Sequence, residues 1–203
     1  MMAGLLMTLR GTPFVYEGQE IGMTNGDFCD LSEVRDIESH NVYAMAKRLG
    51  IPKKIRWRMI RRTSRDNART PMQWSDSTGA GFTTGTPWLK INENFKDVNV
   101  ACERERENGV LAFWKRMITM RRSDRALCEG DFSPLYEGRR IYAFARELEG
   151  RRLVSVLNMS GKAVRMPRCL QGCGRLAVSS CDSVEEYTLS PFEFRLYESE
   201  ERQ

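Results

Sequence analysis

Cysteine and histidine are the residues most often used for metal binding and nucleophilic catalysis, and their spacing here supports neither. The six cysteines show no paired CxxC spacing, and the single histidine, His40, lies in the polar stretch SHN. A structural zinc site needs four clustered ligands. We therefore predict no metal site and no cofactor, and we interpret His40 as a surface or capping residue because no nucleophile motif accompanies it.

The segment RDNARTPMQW, which begins at Arg65, holds the more promising groups. The planar guanidinium of Arg65 presents its hydrogen-bond donors in a rigid fork. Arg69 would share a face with Arg65 if this segment were helical. Asp66 and Asn67 are predicted to fix the loop through bonds from their side chains to the backbone. Glu38, in RDIES, is by residue type alone a solvated acid on a short helix.

Elements that could position these groups follow from the pattern of the first half of the chain. Met1 to Arg10 is predicted to form a helix that Gly11 ends, and Thr12 to Tyr16, TPFVY, has the character of a strand. Asn41 to Leu49 is predicted as a short helix. The basic run Lys53 to Arg62 is interpreted as a helix over buried Ile55, Trp57 and Ile60, and a long loop follows Trp74.

The second half of the chain changes its period. Apolar residues recur at three and four residue spacing from Gly109 to Asp124, which predicts an amphipathic helix. Beyond Gly130 the period becomes two, and the predicted short strands are IYAFARE, RLVSVLN, RLAVSS and FEFRLYE. This pattern indicates an antiparallel sheet or a small sandwich. We place a domain boundary near Leu127 to Gly130.

Composition excludes several classes of protein. The 203 residues are 41% hydrophobic and carry 32 basic and 27 acidic groups, a formal charge of +5 with both signs interspersed. A nucleic-acid binder concentrates its basic residues on one face, so we predict no nucleic-acid partner. No apolar stretch is long enough to cross a bilayer, so we predict no membrane partner. The unpaired cysteines favour a reducing compartment, and we expect a cytoplasmic protein.

Two blocks of sequence resemble a known family. GTPFVYEGQEIGMTN, from Gly11 to Asn25, resembles the eighth-strand region of α-amylase-superfamily barrels, and its GMTN ending is similar to oligo-1,6-glucosidases. RDNARTPMQW with GAGFTTGTPWLKIN resembles the long insertion after that strand. The resemblance implies an α+β fragment. Residues 1–128 would be the last strand and helices of a (β/α)8 TIM barrel, and residues 129–203 a C-terminal antiparallel β-sandwich.

The same resemblance implies how far the chain can carry chemistry. Retaining glycoside hydrolysis needs two carboxyl groups, a nucleophile and a general acid. In the family these groups, a third acid and the calcium site precede the part matched here, so we expect no catalytic residue in this chain and no hydrolysis by it alone. Arg65 matches the arginine that holds the non-reducing-end glucose, and its carboxylate partner is expected to be absent. Glu38 matches a glutamate on the leaving-group side, and Arg69 is a rim residue or loop clamp.

Other residues of the matched blocks are expected to be structural. Glu20 follows the predicted strand, where barrel enzymes place catalytic groups, yet in the family this position supports the barrel mouth. Tyr16 and Gln19 are interpreted as packing and hydrogen-bonding residues. The aromatic residues of the long loop could stack on sugar rings, but buried anchors are the commoner fate of such side chains. They are Trp74, Phe82 and Trp88.

Two functional hypotheses remain open from the sequence. The first is the C-terminal part of a glucosidase acting on short α-glucosides, and trehalose-6-phosphate hydrolase, dextran glucosidase and sucrose isomerase share its motifs, so the linkage stays undecided. The alternative is a carbohydrate-binding or interaction module built on the β-sandwich, although its strands carry no row of aromatic residues. We also expect self-association, because a TPFVY strand would have unpaired edges and an exposed apolar face.

Overall fold

The computed structural model describes residues 1–200 and divides the chain into two compact units. The first unit joins Met1–Val15 to Ala112–Gln203, and the second is Tyr16–Leu111. Residues 1–200 contain six α-helices: α1 (Met2–Thr8), α2 (Ile37–Arg48), α3 (Lys53–Thr63), α4 (Val100–Glu105), α5 (Val110–Ser123) and α6 (Arg125–Cys128). The longest of these has 14 residues, and within residues 1–200 no helix combines the length and apolar content that a membrane crossing requires.

The first unit is built on a five-stranded antiparallel sheet with the strand order β1-β2-β3-β7-β5, and a separate pair joins β4 to β6. The strands are β1 (Asp131–Glu137), β2 (Ile141–Leu148), β3 (Arg151–Asn158), β4 (Val164–Arg165), β5 (Arg175–Ser179), β6 (Thr188–Leu189) and β7 (Phe194–Glu200). The structure thus confirms the four strands that the period of two predicts, and their antiparallel pairing.

Alternate side chains of the sheet enter two different cores. Phe144 and Leu157 pack with apolar residues of α1, α5 and α6, whereas Ala143, Val154 and Val156 pack with the residues around β4 and β6. This alternation is what the period of two requires, because successive side chains of a strand point to opposite faces. Both faces of the sheet are therefore covered.

Two arginine side chains donate hydrogen bonds to carbonyl groups at the end of α1. Arg146 is completely buried, and its guanidinium donates to the carbonyl oxygens of Thr8 at 2.9 Å, Leu127 at 2.8 Å and Gly130 at 2.8 Å. Arg121 donates to the carbonyl oxygens of residues 7, 9 and 11 at 2.7, 3.0 and 2.6 Å. The last carbonyls of a helix have no partner within it. These guanidinium groups supply the missing donors.

The predicted strand Thr12–Tyr16 is wrong, because this segment has no regular structure. A strand exists only where its backbone pairs with another strand, and within residues 1–200 no strand lies beside it. Its apolar side chains remain exposed, with Phe14 84% accessible. The preceding helix ends at Thr8, and Gly11 adopts a positive φ of 106° three residues later.

The second unit holds α2 to α4 and a series of short 3-10 turns. Its main core joins Phe28, Val34, Ile60 and Leu89. The helix predicted over the basic run is confirmed as α3, but Ile60 alone is fully buried and Ile55 is 40% exposed. Side-chain hydrogen bonds hold the long loop within this unit. Gln73 donates to the Val98 carbonyl, and Asn92 donates to Thr24 at 3.0 Å.

Candidate functional site

A short 3-10 turn, Arg65–Ala68, presents the arginine that the sequence singles out. Ser64 stands before the turn, and its hydroxyl accepts a hydrogen bond from the Asp66 amide at 3.3 Å. Side-chain acceptors at this position stabilise a turn by satisfying an otherwise unpaired amide. Arg65 therefore projects from a fixed first position of the turn.

Arg65 makes its strongest contacts with Asp36, the residue directly before α2. The Arg65 Nη2 and Nε atoms donate to Asp36 Oδ1 at 2.6 and 3.0 Å. Arg65 Nη2 also lies 3.3 Å from Glu38 Oε2. Two acids of this chain thus contact Arg65, because the chain brings RDIES and RDNAR together across 29 residues. The absence of the family's own carboxylate partner stays a prediction. We call Arg65, Asp36 and Glu38 the arginine cluster.

Asp36 is the buried anchor of the arginine cluster. Its side chain is 3% exposed, and its second oxygen accepts a hydrogen bond from the Ser39 hydroxyl at 2.8 Å. Burial alone would raise the pKa of Asp36, but the bonds from Arg65 and Ser39 and the Arg65 charge outweigh it and hold this pKa at about 2. The same contacts raise the pKa of Arg65. The pair is therefore fully ionised at neutral pH.

Asp66 links the 3-10 turn to the segment before α2 by a second set of hydrogen bonds. It is completely buried, and its Oδ2 accepts hydrogen bonds from the backbone amides of Arg35 at 2.6 Å and Asp36 at 2.9 Å. Adjacent residues of the turn thus hold both the side chain and the backbone of Asp36. The sequence predicts that Asp66 bonds to the backbone, and the structure confirms this but places the bonds in a distant loop.

Glu38 belongs to the arginine cluster, whereas Arg69 is linked to it through Asp66. The Glu38 side chain is 68% exposed and the Arg65 side chain 55%, so both keep faces open to a ligand. Arg69 follows the 3-10 turn, and its Nη1 atom lies 3.8 Å from Asp66 Oδ1; Asp66 in turn accepts a hydrogen bond from the Asp36 amide. The segment is not an α-helix, and the shared helical face considered for Arg69 therefore does not form.

The remaining candidates form hydrogen bonds with backbone groups. Tyr16 donates its hydroxyl hydrogen to the Ala68 carbonyl at 2.7 Å, and Glu20 accepts from the Gly18 amide at 2.8 Å. Gln19 accepts from the Tyr16 amide at 3.2 Å. His40 pairs through Nε2 with the Val34 carbonyl at 2.7 Å. These contacts give each of the four residues a hydrogen-bonding role, and the interpretation that none of them is catalytic stays a prediction.

The aromatic residues of the long loop differ from expectation. Trp74, Phe82 and Trp88 are 49%, 46% and 54% exposed, so they are not buried anchors. They leave ring faces free on the surface of the second unit, where aromatic rings can stack on apolar faces of sugars. Over residues 1–200, no group of three metal-ligating side chains gathers around one point.

Asp36 is the residue of the arginine cluster that the sequence did not single out. It stands before α2, where an aspartate usually caps a helix. Its side chain makes no cap bond and turns instead to Arg65 and Ser39. A motif search could have found it only by pairing the acids of RDIES with the arginines of RDNAR, which the spacing alone does not suggest.

Comparison with known proteins gives consistent results. Residues 1–130 match the model of the family described as "Alpha amylase, catalytic domain". The oligo-1,6-glucosidase of Halalkalibacterium halodurans is 34% identical over an alignment of 203 positions, which covers 98% of this chain and 36% of that protein. The oligo-1,6-glucosidase of Parageobacillus thermoglucosidasius is 36% identical over an alignment of 207 positions, which covers 97% of this chain and 37% of that protein.

Solved structures of related proteins also match nearly the whole chain. Isomaltulose synthase from Klebsiella sp. LX3 superposes with a TM-score of 0.87 at 34% identity, over 97% of this chain and 37% of that chain. Trehalose-6-phosphate hydrolase from Bacillus licheniformis gives 0.88 at 30% identity over the same shares. The chain thus spans a little over a third of the length of these relatives.

Proposed function

The chain belongs to the α-amylase catalytic-domain family, and from this premise we propose that it supplies the sugar-binding part of a retaining α-glucosidase of the oligo-1,6-glucosidase type. Relatives named oligo-1,6-glucosidase match nearly its whole length. The family match ends at residue 130 and every strand of residues 1–200 lies beyond it, which supports a division of the sequence into the end of a TIM barrel, residues 1–128, and a C-terminal β-sandwich, residues 129–203. In space, residues 1–15 and 112–128 pack with the sheet in one compact unit. The six free thiols support a cytoplasmic setting.

The observation that carries the proposal is the arginine cluster. Asp36 and Glu38 hold the guanidinium of Arg65 while 55% of the Arg65 side chain stays accessible. A guanidinium that is fixed in direction loses little entropy when it donates to a ligand. Sugar hydroxyls are suitable acceptors, and the Glu38 carboxylate can accept hydrogen bonds from them. We propose that Arg65 and Glu38 bind a glucose unit and that Arg69 supports them through Asp66.

Catalysis requires groups that the arginine cluster does not provide. A general acid must hold a proton near neutral pH, and a nucleophile must present a free oxygen to the substrate. The pKa of Asp36 is held at about 2, and both its oxygens accept hydrogen bonds from Arg65 and Ser39. Asp36 is therefore suited to neither role. We propose that the catalytic carboxylates belong to residues outside these 203, and that this chain alone does not hydrolyse glycosides.

Hydrolysis and binding assays on the same preparation test the proposal. We expect no release of p-nitrophenol from p-nitrophenyl α-glucoside, and weak binding of isomaltose that Arg65→Met abolishes. Arg116→Met is the matched control, because Arg116 lies in the other unit and should leave binding unchanged. Turnover by the chain would refute the assignment of the carboxylates. Isomaltose binding that survives Arg65→Met would favour a module built on the sheet.

A further inference from the structure

A cavity in the Tyr16–Leu111 unit takes no part in the arginine cluster. It has a volume of about 630 Å³ and lies among the loop before the 3-10 turn Leu31–Glu33, the middle of α2 and the first turns of α3. Its lining residues are Cys29, Asp30, Leu31, Ser32, Tyr43, Lys53, Lys54 and Trp57. A space of this size accommodates a small organic molecule.

Two half-buried aromatic rings form the apolar wall of this cavity. Tyr43 and Trp57 pack on the core that Phe28 and Ile60 help to form, so their positions are fixed by that core. The Arg56 guanidinium lies 4.7 Å from the centroid of the Tyr43 ring, a cation–π distance that restrains the ring further. Such fixed rings stack on the flat face of a base or on the CH face of a sugar.

Two lysines bring positive charge to the same cavity. Lys53 and Lys54 are exposed, and within residues 1–200 neither ammonium group forms an ion pair or a hydrogen bond. Arg56 adds a third positive charge beside Tyr43. An ammonium is a compact point charge with three donors, and a neighbouring pair suits an anion with several oxygens, such as a phosphate group.

The acids of this loop are already engaged by its own donors. Asp30 accepts hydrogen bonds from the Ser32 amide at 2.7 Å and the Ser32 hydroxyl at 2.5 Å. These bonds lower the pKa of Asp30 most, and the charge of Lys53 contributes least. Glu33 accepts from the Cys29 amide at 2.7 Å. Asp30 stays ionised, so the lining carries two positive charges and one negative charge, and the donors of both ammonium groups remain open to an incoming anion.

We propose that this cavity binds a phosphate monoester attached to a ring. Lys53 and Lys54 would bind the phosphate, and Tyr43 and Trp57 would pack against the ring. A sugar phosphate and a nucleoside monophosphate share this chemistry. Because the second pKa of a phosphate monoester is about 6, binding strengthens as the pH rises through that value and the dianion forms.

Indole signals of the ¹⁵N-labelled full chain provide the test. The chain has four tryptophans, so the Trp57 Nε1–H signal can be assigned with Trp57→Phe. We expect glucose 6-phosphate or AMP to shift this signal with a Kd of about 1 mM or lower. Inorganic phosphate should bind about tenfold more weakly, and glucose should have no effect. The ester with the lower Kd identifies the source of the ligand.

Charge-removing variants separate this site from its surroundings. The double variant Lys53→Gln, Lys54→Gln should weaken the ester about tenfold or more, because each lost charge-assisted bond is costly. Lys47→Gln with Arg48→Gln is the matched control, since both residues are exposed on α2 outside the cavity. Arg65→Met should not change binding, which keeps this inference independent of the proposed function. An unshifted Trp57 signal at 10 mM of both esters, or binding that the double lysine variant retains, would overturn the proposal.

Discussion

The buried carboxylate of Asp36 fixes the position of the Arg65 guanidinium. Arg65 is over half exposed, and an exposed arginine normally samples many rotamers. Two bonds from its guanidinium to Asp36 restrict that freedom. The resemblance identified Arg65 and Glu38 as candidates, but not Asp36, because its importance depends on a contact across 29 residues. Local sequence patterns carry no information about such a contact.

The low pKa of Asp36 predicts how this contact responds to acid. The pKa falls from 3.8 to about 2 on folding, so the stabilisation is fully present above about pH 4 and is lost as the pH falls through about 2. Because Arg65 is half exposed and screened by solvent, we expect about 1–2 kcal/mol rather than the full linkage value.

Chemical denaturation of the wild type and of Asp36→Asn checks this linkage. The wild type should be more stable at pH 7, and the difference should shrink steadily as the pH is lowered from 4 to 2. Glu129→Gln is a suitable control, because Glu129 forms an exposed ion pair with Arg125 that should contribute little. A wild-type advantage that is independent of pH would show that charge pairing is not its cause.

Among the elements, periodicity predicted the strands whose apolar residues alternate and missed the strands without such alternation. The four strands with alternating apolar residues are present, but β1 was not predicted. Its sequence DFSPLYE contains Pro134, and its burial does not alternate. Proline is tolerated at a sheet edge, and β1 is an edge strand. The strands β4 and β6 have two residues each, too few to show any period.

Arg146 is the element-scale residue whose loss should matter most. Its guanidinium satisfies carbonyl groups of α1, α6 and the start of β1 while it is fully buried. Arg146→Met would keep most of the volume but leave those carbonyls without donors, at a cost of about 3–5 kcal/mol. Arg10→Met should cost less than about 0.5 kcal/mol, because Arg10 makes one exposed ion pair at 3.7 Å.

Denaturant titration of both variants measures these differences directly. Equal stabilities for Arg146→Met and the wild type would contradict the role assigned to the buried guanidinium. Desolvation is the main cause that lowers the pKa of Arg146, and the charges of Arg121 and Arg10 lower it further. The burial of this charged side chain could not be foreseen from IYAFARE, where an arginine in a strand ordinarily faces solvent.

At the scale of the whole molecule, exposed apolar side chains predict association. The segment expected to form a strand leaves Phe14, Val15 and Tyr16 at 84%, 43% and 51% exposure. Adjacent exposed side chains of this size favour contacts between copies. We expect light scattering to show a mass that increases with concentration, and Phe14→Ser to reduce this increase. Phe82→Ser is the control, and a monodisperse monomer for the wild type would contradict the expectation.

We propose that the chain binds a sugar through the arginine cluster of its second unit. The most direct measurement follows the Arg65 side-chain Nε–H signal, assigned with Arg65→Lys, while isomaltose is added to the ¹⁵N-labelled chain. We predict a saturable shift of this signal that Glu38→Ala weakens, with the amide signals of β1 to β7 unchanged. Isomaltose-dependent shifts confined to those strands, with the Arg65 signal unmoved, would contradict the claim.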